Sequence, residues 1–386
     1  MRFVWLLILS VLVSALPVQA VEWTLLKHDG REYISFDNMA EFYGLSAVRR
    51  NGSSGVMTLG NRSLRGEQGS PDFYINNLKF ILSYPVAEIG GKLCVSRMDL
   101  VKIIEPVLRP SKITASEAVD TIILDPGHGG HDLGAGSVVA AREKDYTLDT
   151  ANRARLRLTQ AGFKVYMTRT TDVFIPLEDR VAFANKFPNA LFVSIHFNSS
   201  GAGTGIETYT LAPRGVPSMM ADGPRVTDAQ ECKGNCRDAE NIALATATHA
   251  SLIVHSHMPD RGIKRARFVV IRDITIPGVL IEGGFLSNGY DARMIAQPAY
   301  RETLAASIVE ASLNYRTAVA PPGTPPLARN DSIVIPPLGM PDARGAALSV
   351  VQAKAQAPTP APKKTAATIS SESAVAASAA RVQLTN

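Results

Sequence analysis

Four residues with metal or acid–base chemistry follow, or lie near, the ends of short apolar runs. Thr121-Ile-Ile-Leu124 leads into Asp125-Pro-Gly-His128, and Ala190 to Ile195 leads into His196, with Asn198 close behind. Gly278 to Ile281 leads into Glu282 and then Gly283-Gly284, while Glu143 sits in Arg142-Glu-Lys-Asp145 at the expected start of a helix. Short runs rich in β-branched residues and closed by Gly or Pro read as buried strands. Pro126 cannot extend a central strand, and Gly127 permits an unusual backbone angle. Ligands of open α/β sheets bind in the crevice beyond the carboxyl ends of the strands. If these three strands are parallel neighbours, His128, His196 and Glu282 face one crevice and Glu143 can reach it. Two imidazoles and a carboxylate are the ligand set of a catalytic zinc, with a fourth position open for water. A second carboxylate can then take a proton from that water. Spacing alone leaves the alternative that His128 and His196 are hydrogen-bonded histidines at strand ends, because no pair of these residues lies within one helical turn.

The elements that would position these residues alternate strand and helix, the signature of a largely parallel sheet flanked by helices. Lys144 to Ala161 reads as a helix with Leu148, Ala151, Ala154 and Leu158 on one stripe and Gly162 as its stop. Phe163 to Met167 and Ile206 to Leu211 read as strands, and 177–185, 240–257 and 300–315 as helices. Residues 21–115 read instead as a small α+β unit of short strands with helices at 37–43 and 97–107. A polar linker at 109–119 joins it to a catalytic unit at 116–316. The fold class expected is therefore α/β, preceded by a small α+β domain.

The blocks LDPGHGGHDLGA, REKDYTLD, VYMTRTTDVFIPLEDRVAFAN, LFVSIHFNSS, GIETYTL and GVLIEGGFLSN resemble the zinc-dependent N-acetylmuramoyl-L-alanine amidases of the amidase-3 family. They occur in the family's order over about residues 120–315. The resemblance implies one zinc held by His128, Glu143 and His196, with Glu282 as the catalytic glutamate. The implied substrate is peptidoglycan, cut at the amide between N-acetylmuramic acid and L-alanine. Asp125 and Asp145 are candidates to hydrogen-bond the ligand shell, and Asn198 to orient substrate. His131 occupies a position the family does not use as a ligand. Gly283 stands where many relatives carry a larger residue, which alters packing but leaves the carboxylate in place. Two other readings stay open: a non-catalytic peptidoglycan-binding protein, and a zinc hydrolase that cuts another wall amide. The plan of residues 21–115 is similar to the N-terminal-like domain of copper amine oxidases, for which a binding or spacer role is expected.

Net charge is +5 over 386 residues, with no dense Lys/Arg run, which argues against nucleic-acid binding and is compatible with an anionic polymer. Residues 1–20 carry a basic start, an apolar core and small residues before a cut after Ala20, the plan of a secretory signal peptide. No later segment is apolar enough to span a membrane. A periplasmic location is expected, with secretion or wall association as the alternative. Cys232 and Cys236 are expected to form a disulfide, with a redox pair or second metal site as alternatives, which leaves Cys94 a buried thiol. Residues 212–238 interrupt the strand–helix rhythm and read as an insertion loop, either a surface excursion or a cover on which an activator protein acts. His249, His255 and His257 read as structural or solvated. The basic segment Arg261 to Phe268 reads as a solvated face or as a grip for a substrate anion. Residues 317–386 are rich in Pro, Ala, Ser and Thr and are expected to be disordered.

Overall fold

The computed structural model describes residues 21–113, 118–139, 141–220 and 224–333. The first nine strands are β1 (Leu26–His28), β2 (Arg31–Ser35), β3 (Arg49–Asn51), β4 (Ser54–Leu59), β5 (Arg62–Glu67), β6 (Asp72–Ile75), β7 (Leu78–Ile81), β8 (Ala87–Ile89) and β9 (Lys92–Ser96). Six more follow: β10 (Thr121–Pro126), β11 (Lys164–Met167), β12 (Ala190–Asn198), β13 (Ile206–Leu211), β14 (Asp260–Ala266) and β15 (Gly278–Phe285). The signal expected at 1–20 and the tail beyond 333 lie outside the described residues.

All six residues of β10 are buried, as are the first six of β12, because helices cover both faces of the sheet. Alternation decides which face each side chain meets. Ile122 and Leu124 pack with Ala151, Ala154 and Leu158 of the Glu143–Gln160 helix, while Ile123 and Phe192 pack with Val181, Val270 and Ile271 on the other side. The helices Asp238–Ser256 and Pro298–Val319 close the first face.

As expected, β10, β12 and β15 are adjacent and parallel, in register Pro126 with Ile195 and His196 with Glu282. β13 runs antiparallel to β15 and parallel to β14. One expectation fails locally: the strand does not break at Asp125 but runs through Pro126. β11 pairs with β10 only as far as Leu124, so Pro126 lies where one side of the strand has no ladder and a missing N–H is tolerated.

The 21–113 region does not stand apart from the sheet. β14 pairs with β7 at Ile263 and Phe80, which continues one sheet of eleven strands from β11 to β3. The backbone of β14 is thereby covered rather than left as an open edge. A buried ion pair sits beneath this junction. Arg265 Nη1 lies 3.4 Å from Asp99 Oδ1, and Arg265 Nη2 donates to the Ile81 carbonyl at 2.8 Å. Asp99 also accepts from the backbone N–H groups of Ser83 and Tyr84. The basic Arg261–Phe268 segment is thus not a solvated face: much of it is β14, and its cations meet internal carboxylates and carbonyls.

The tail also departs from expectation at its start. The last helix extends to Val319, and Asn330 N–H donates to the Gln160 carbonyl at 2.8 Å. Gln160 Nε2 returns a bond to Ile333, and Leu327 packs on the core. Backbone hydrogen bonds and one apolar anchor hold a segment whose composition lacks aromatics.

Candidate metal centre and catalytic crevice

The crevice is a cavity of about 760 Å³ beyond the carboxyl ends of β10, β12 and β15, lined among others by His128, Glu143, His196, Asn198, Arg267 and Glu282. Donor atoms of His128, Glu143 and His196 all lie within 4.8 Å of one another. His128 Nε2 is 3.0 Å from Glu143 Oε2, and His196 Nδ1 is 3.0 Å from Glu143 Oε1. Bonds of about 2 Å to one tetrahedral ion would set donors about 3.3 Å apart, so the donor set fits a single zinc-sized cation. Glu143, at the start of its helix, is 4% exposed. Burial pushes its carboxyl up, but the hydrogen bonds and charges of the two imidazoles outweigh this and hold it well below the usual range. For His128, burial opposes the charged form, yet Glu143 and then Asp132 raise its pKa.

Backbone shape makes this clustering possible. A Cβ on Gly127 would lie 2.1 Å from His196 Cε1, so the residue before His128 has no room for any side chain. The unusual angle expected at Gly127 belongs instead to His128, whose φ is 60°. That left-handed conformation costs a non-glycine residue about 1 to 3 kcal/mol and persists only where the surroundings impose it. Here Arg180 Nη2 donates to the His128 carbonyl at 2.8 Å, and Arg180 Nη1 to the Pro126 carbonyl at 2.8 Å. Arg169 braces the same turn through the carbonyls of Pro126 and Gly127.

Asp125 does not touch an imidazole, contrary to expectation. Its carboxylate accepts from Arg180 at 2.7 Å, Thr168 at 2.6 Å and Ser194 at 2.8 Å, and so anchors the arginine that shapes the loop. The reason is geometric: Asp125 is still in β10, while the chain has turned by His128. The imidazole partner is Asp132, whose Oδ2 lies 2.9 Å from His128 Nδ1 and fixes that ring. Asp145 makes no hydrogen bond to either imidazole among the described residues. His131 stacks on Phe174 with ring centres 4.2 Å apart.

Glu282 occupies β15 directly opposite His196 on one side and Glu207 on the other. Its Oε2 is buried with no hydrogen-bond partner. Burial, then the negative charges of Glu143 and Glu207, push its carboxyl well above the usual range, against a smaller opposing pull from Lys264. Glu207, 2% exposed, was not singled out from the sequence. It accepts from Lys264 at 2.5 Å, Arg261 at 2.7 Å, Tyr209 at 2.8 Å and Asn198 at 3.1 Å. Asn198, which lines the cavity, is therefore held by a carboxylate that also pairs with Lys264 and Arg261.

Residues 122–314 match the amidase-3 family of N-acetylmuramoyl-L-alanine amidases. The chain belongs to this family. The amidase is 30% identical over 249 residues to N-acetylmuramoyl-L-alanine amidase AmiA of Escherichia coli (strain K12), spanning 58% of this chain and 86% of that protein. It is 33% identical over 217 residues to AmiA of Salmonella typhimurium, spanning 50% of this chain and 75% of that one. The catalytic domain of CwlV, an N-acetylmuramoyl-L-alanine amidase from Bacillus (Paenibacillus) polymyxa var. colistinus, overlaps with a TM-score of 0.44 at 29% identity, over 52% of this chain and 99% of that chain.

Elsewhere in the amidase, the expected Cys232–Cys236 disulfide is corrected: all three cysteines are free. Lys233–Arg237 forms a tight helical turn, in which the Asn235 N–H donates to the Cys232 carbonyl at 3.0 Å and the Cys232 N–H donates to Asn235 Oδ1 at 2.9 Å. Cys94 is buried, and its thiol is pushed up to about 11 by desolvation. His249 is a structural residue, bonded to Thr208 and Asp260. None of the described residues of 212–238 lines the crevice. That segment packs on β14 instead, where the Met219 N–H donates to the Arg265 carbonyl at 3.0 Å, and Arg267, just past the strand, donates to the carbonyls of Val216, Pro213 and Asp228. No helix of the described residues is long and apolar enough to cross a membrane.

Proposed function

We propose that this cell-wall amidase hydrolyses the amide between the lactyl group of N-acetylmuramic acid and L-alanine in peptidoglycan. In this reading His128, Glu143 and His196 hold one zinc ion, and Glu282 is the catalytic acid–base group. The observation that carries the reading is one juxtaposition: two imidazoles share a buried carboxylate, and opposite His196 a second, half-buried carboxylate has a buried oxygen with no partner. Zinc bound there would polarise the amide carbonyl and acidify a water molecule. Glu282 takes the proton from water as its oxygen attacks the carbonyl carbon, and a raised carboxyl pKa suits a base that must later act as an acid. The same carboxyl then gives the proton to the departing nitrogen as the C–N bond breaks. The products are a free lactyl carboxylate and a stem peptide with a free L-alanine amine. Asp132 keeps the His128 ring oriented, and Asn198, held by Glu207, orients the substrate in this reading.

The same reading has the enzyme exported to the periplasm for wall remodelling or cell separation. An activator protein acting on residues 212–238 would reach the crevice through Arg267, the residue that both lines the cavity and grips that loop. The test is a digest of purified peptidoglycan, with and without a chelator, followed by mass spectrometry. Free stem peptides beginning at L-alanine, lost with chelator, restored by zinc and absent from Glu282→Gln, support it. Turnover that survives Glu282→Gln removes the assigned role, and products cut elsewhere in the stem move the bond.

A further inference from the structure

A second cavity of about 790 Å³ opens on the 21–113 region and shares no lining residue with the catalytic crevice. Four cations line it, Lys27, Arg31, Arg97 and Lys102, against one carboxylate, Glu32. That carboxylate accepts from Arg97 Nη1 at 2.6 Å, and Lys102 Nζ donates to Asp238 at 2.8 Å. Lys27 and Arg31 make no ion pair among the described residues. The Arg31 guanidinium lies 4.3 Å from the centre of the Tyr84 ring, which gives it a fixed seat. Tyr84 is fixed in turn. Its N–H donates to Asp99 at 3.2 Å, and its hydroxyl to the Gly215 carbonyl at 3.4 Å. The wall of the cavity therefore rests on the buried Asp99–Arg265 pair and touches the catalytic half through Gly215 and Asp238.

The chemistry of the lining selects its ligand. A seated guanidinium and an unspent ammonium lining one cavity bind carboxylates, the guanidinium through two parallel N–H bonds. The volume is that of a peptide-sized ligand and far exceeds a simple inorganic anion. We infer that this cavity docks the carboxylate-bearing peptide stems of peptidoglycan, at a site separate from the one where the amide is cut. The inference rests on the peptidoglycan reading above. The strands that line the cavity belong to a separate four-stranded sheet, β1-β2-β9-β8, but its Tyr84 wall is tied to β14 of the catalytic sheet through Asp99 and Arg265, so a docked strand is held at a set offset from Glu282. A second contact on the same polymer raises the effective concentration of the scissile amide, which acts on polymer and not on small substrates.

The experiment uses the full chain with Glu282→Gln, so that nothing is hydrolysed, and measures co-sedimentation with insoluble peptidoglycan. Lys27→Glu together with Arg31→Glu should weaken binding by about fivefold or more. Peptidoglycan with its carboxylates amidated should bind the parent equally weakly and show no further loss with the variant. In the Glu282 background, the double variant should cleave a soluble monomeric muropeptide within about twofold of the parent while losing activity on the insoluble polymer. Unchanged co-sedimentation overturns the inference, as does a loss that persists in full on amidated polymer. Displacement by inorganic phosphate at constant ionic strength, with amidation having no effect, would assign the cavity to phosphate and overturn it too. Failure of the amidase reading is seen separately, as a parent enzyme that releases no stem peptide from the muropeptide.

Discussion

Asp99→Ala is predicted to destabilise the whole described fold, although the residue lies in the 21–113 region. Asp99 is fully buried, and Arg265 of β14 is 3% exposed. Burial alone pulls the Arg265 guanidinium below its ordinary pKa, with Asp99 the first of the groups that oppose this. Removing one partner of a buried pair leaves an uncompensated charge and costs about 3 to 5 kcal/mol. The substitution also strands the N–H groups of Ser83 and Tyr84 and the hydroxyl of Ser96, which now donate to Asp99. These losses share one network and do not add independently. A total of about 4 kcal/mol would take a large part of a typical stability of about 5 to 15 kcal/mol. At about 2 to 4 °C per kcal/mol for a chain this large, the melting temperature should fall by about 10 °C. Thermal unfolding followed by circular dichroism measures it, and a single cooperative transition is expected because β7 and β14 share the sheet. Arg265→Met should cost less, since Asp99 keeps its three other donors. The double variant should recover about 1.5 to 3 kcal/mol relative to the sum of the single changes. A drop of under about 2 °C in Asp99→Ala, or strict additivity in the cycle, would refute the reasoning.

Three further outcomes are expected. Asp132→Asn removes the charged partner of His128 Nδ1 and should weaken zinc affinity by about 10- to 100-fold in a chelator competition; unchanged affinity would remove Asp132 from the site. Arg180→Lys cannot span Asp125, Pro126 and His128 from one ammonium, so the His128 turn relaxes. Turnover should fall by about tenfold or more with a smaller change in KM, and a turnover within about twofold of the parent would show that the turn holds itself. The third concerns Asp260. Burial pushes its carboxyl up, but the hydrogen bond and charge of His249, then the Lys79 and Gly262 N–H groups, hold it below its ordinary value. A depressed folded pKa contributes stability above the unfolded value, and that contribution is lost as pH falls through the folded one. The parent should therefore exceed Asp260→Asn in stability at neutral pH, and the gap should close below about pH 4 in denaturant titrations. A gap that does not change between pH 7 and acid would rule out the Asp260 carboxylate as its source.

Much of the site was legible because it depends on local rules. Apolar runs ended by Gly, His or Glu mark strand termini, so His128, His196 and Glu282 could be placed at one end of a sheet from sequence, and parallel packing brings such ends together. Helix bounds followed from periodicity in the same way: 144–161 was expected and Glu143–Gln160 is observed. Local rules failed where a residue's role is set by a partner far along the chain. Asp125 lies three residues before His128 but bonds Thr168, Arg180 and Ser194. Arg265 read as part of a solvent-facing basic patch, yet β14 is covered by β7 and its counter-charge comes from Asp99.

What the sequence by itself determined was the set of chemical groups, their order and the ends of the elements that carry them. Only the tertiary structure decided that Glu207 stands opposite Glu282, that His128 takes a left-handed turn under two arginines, and that β3 to β7 extend the catalytic sheet. Strand order and long-range pairing settle these points. They are selected by the summed burial of all the elements together, a quantity that no short window of residues contains.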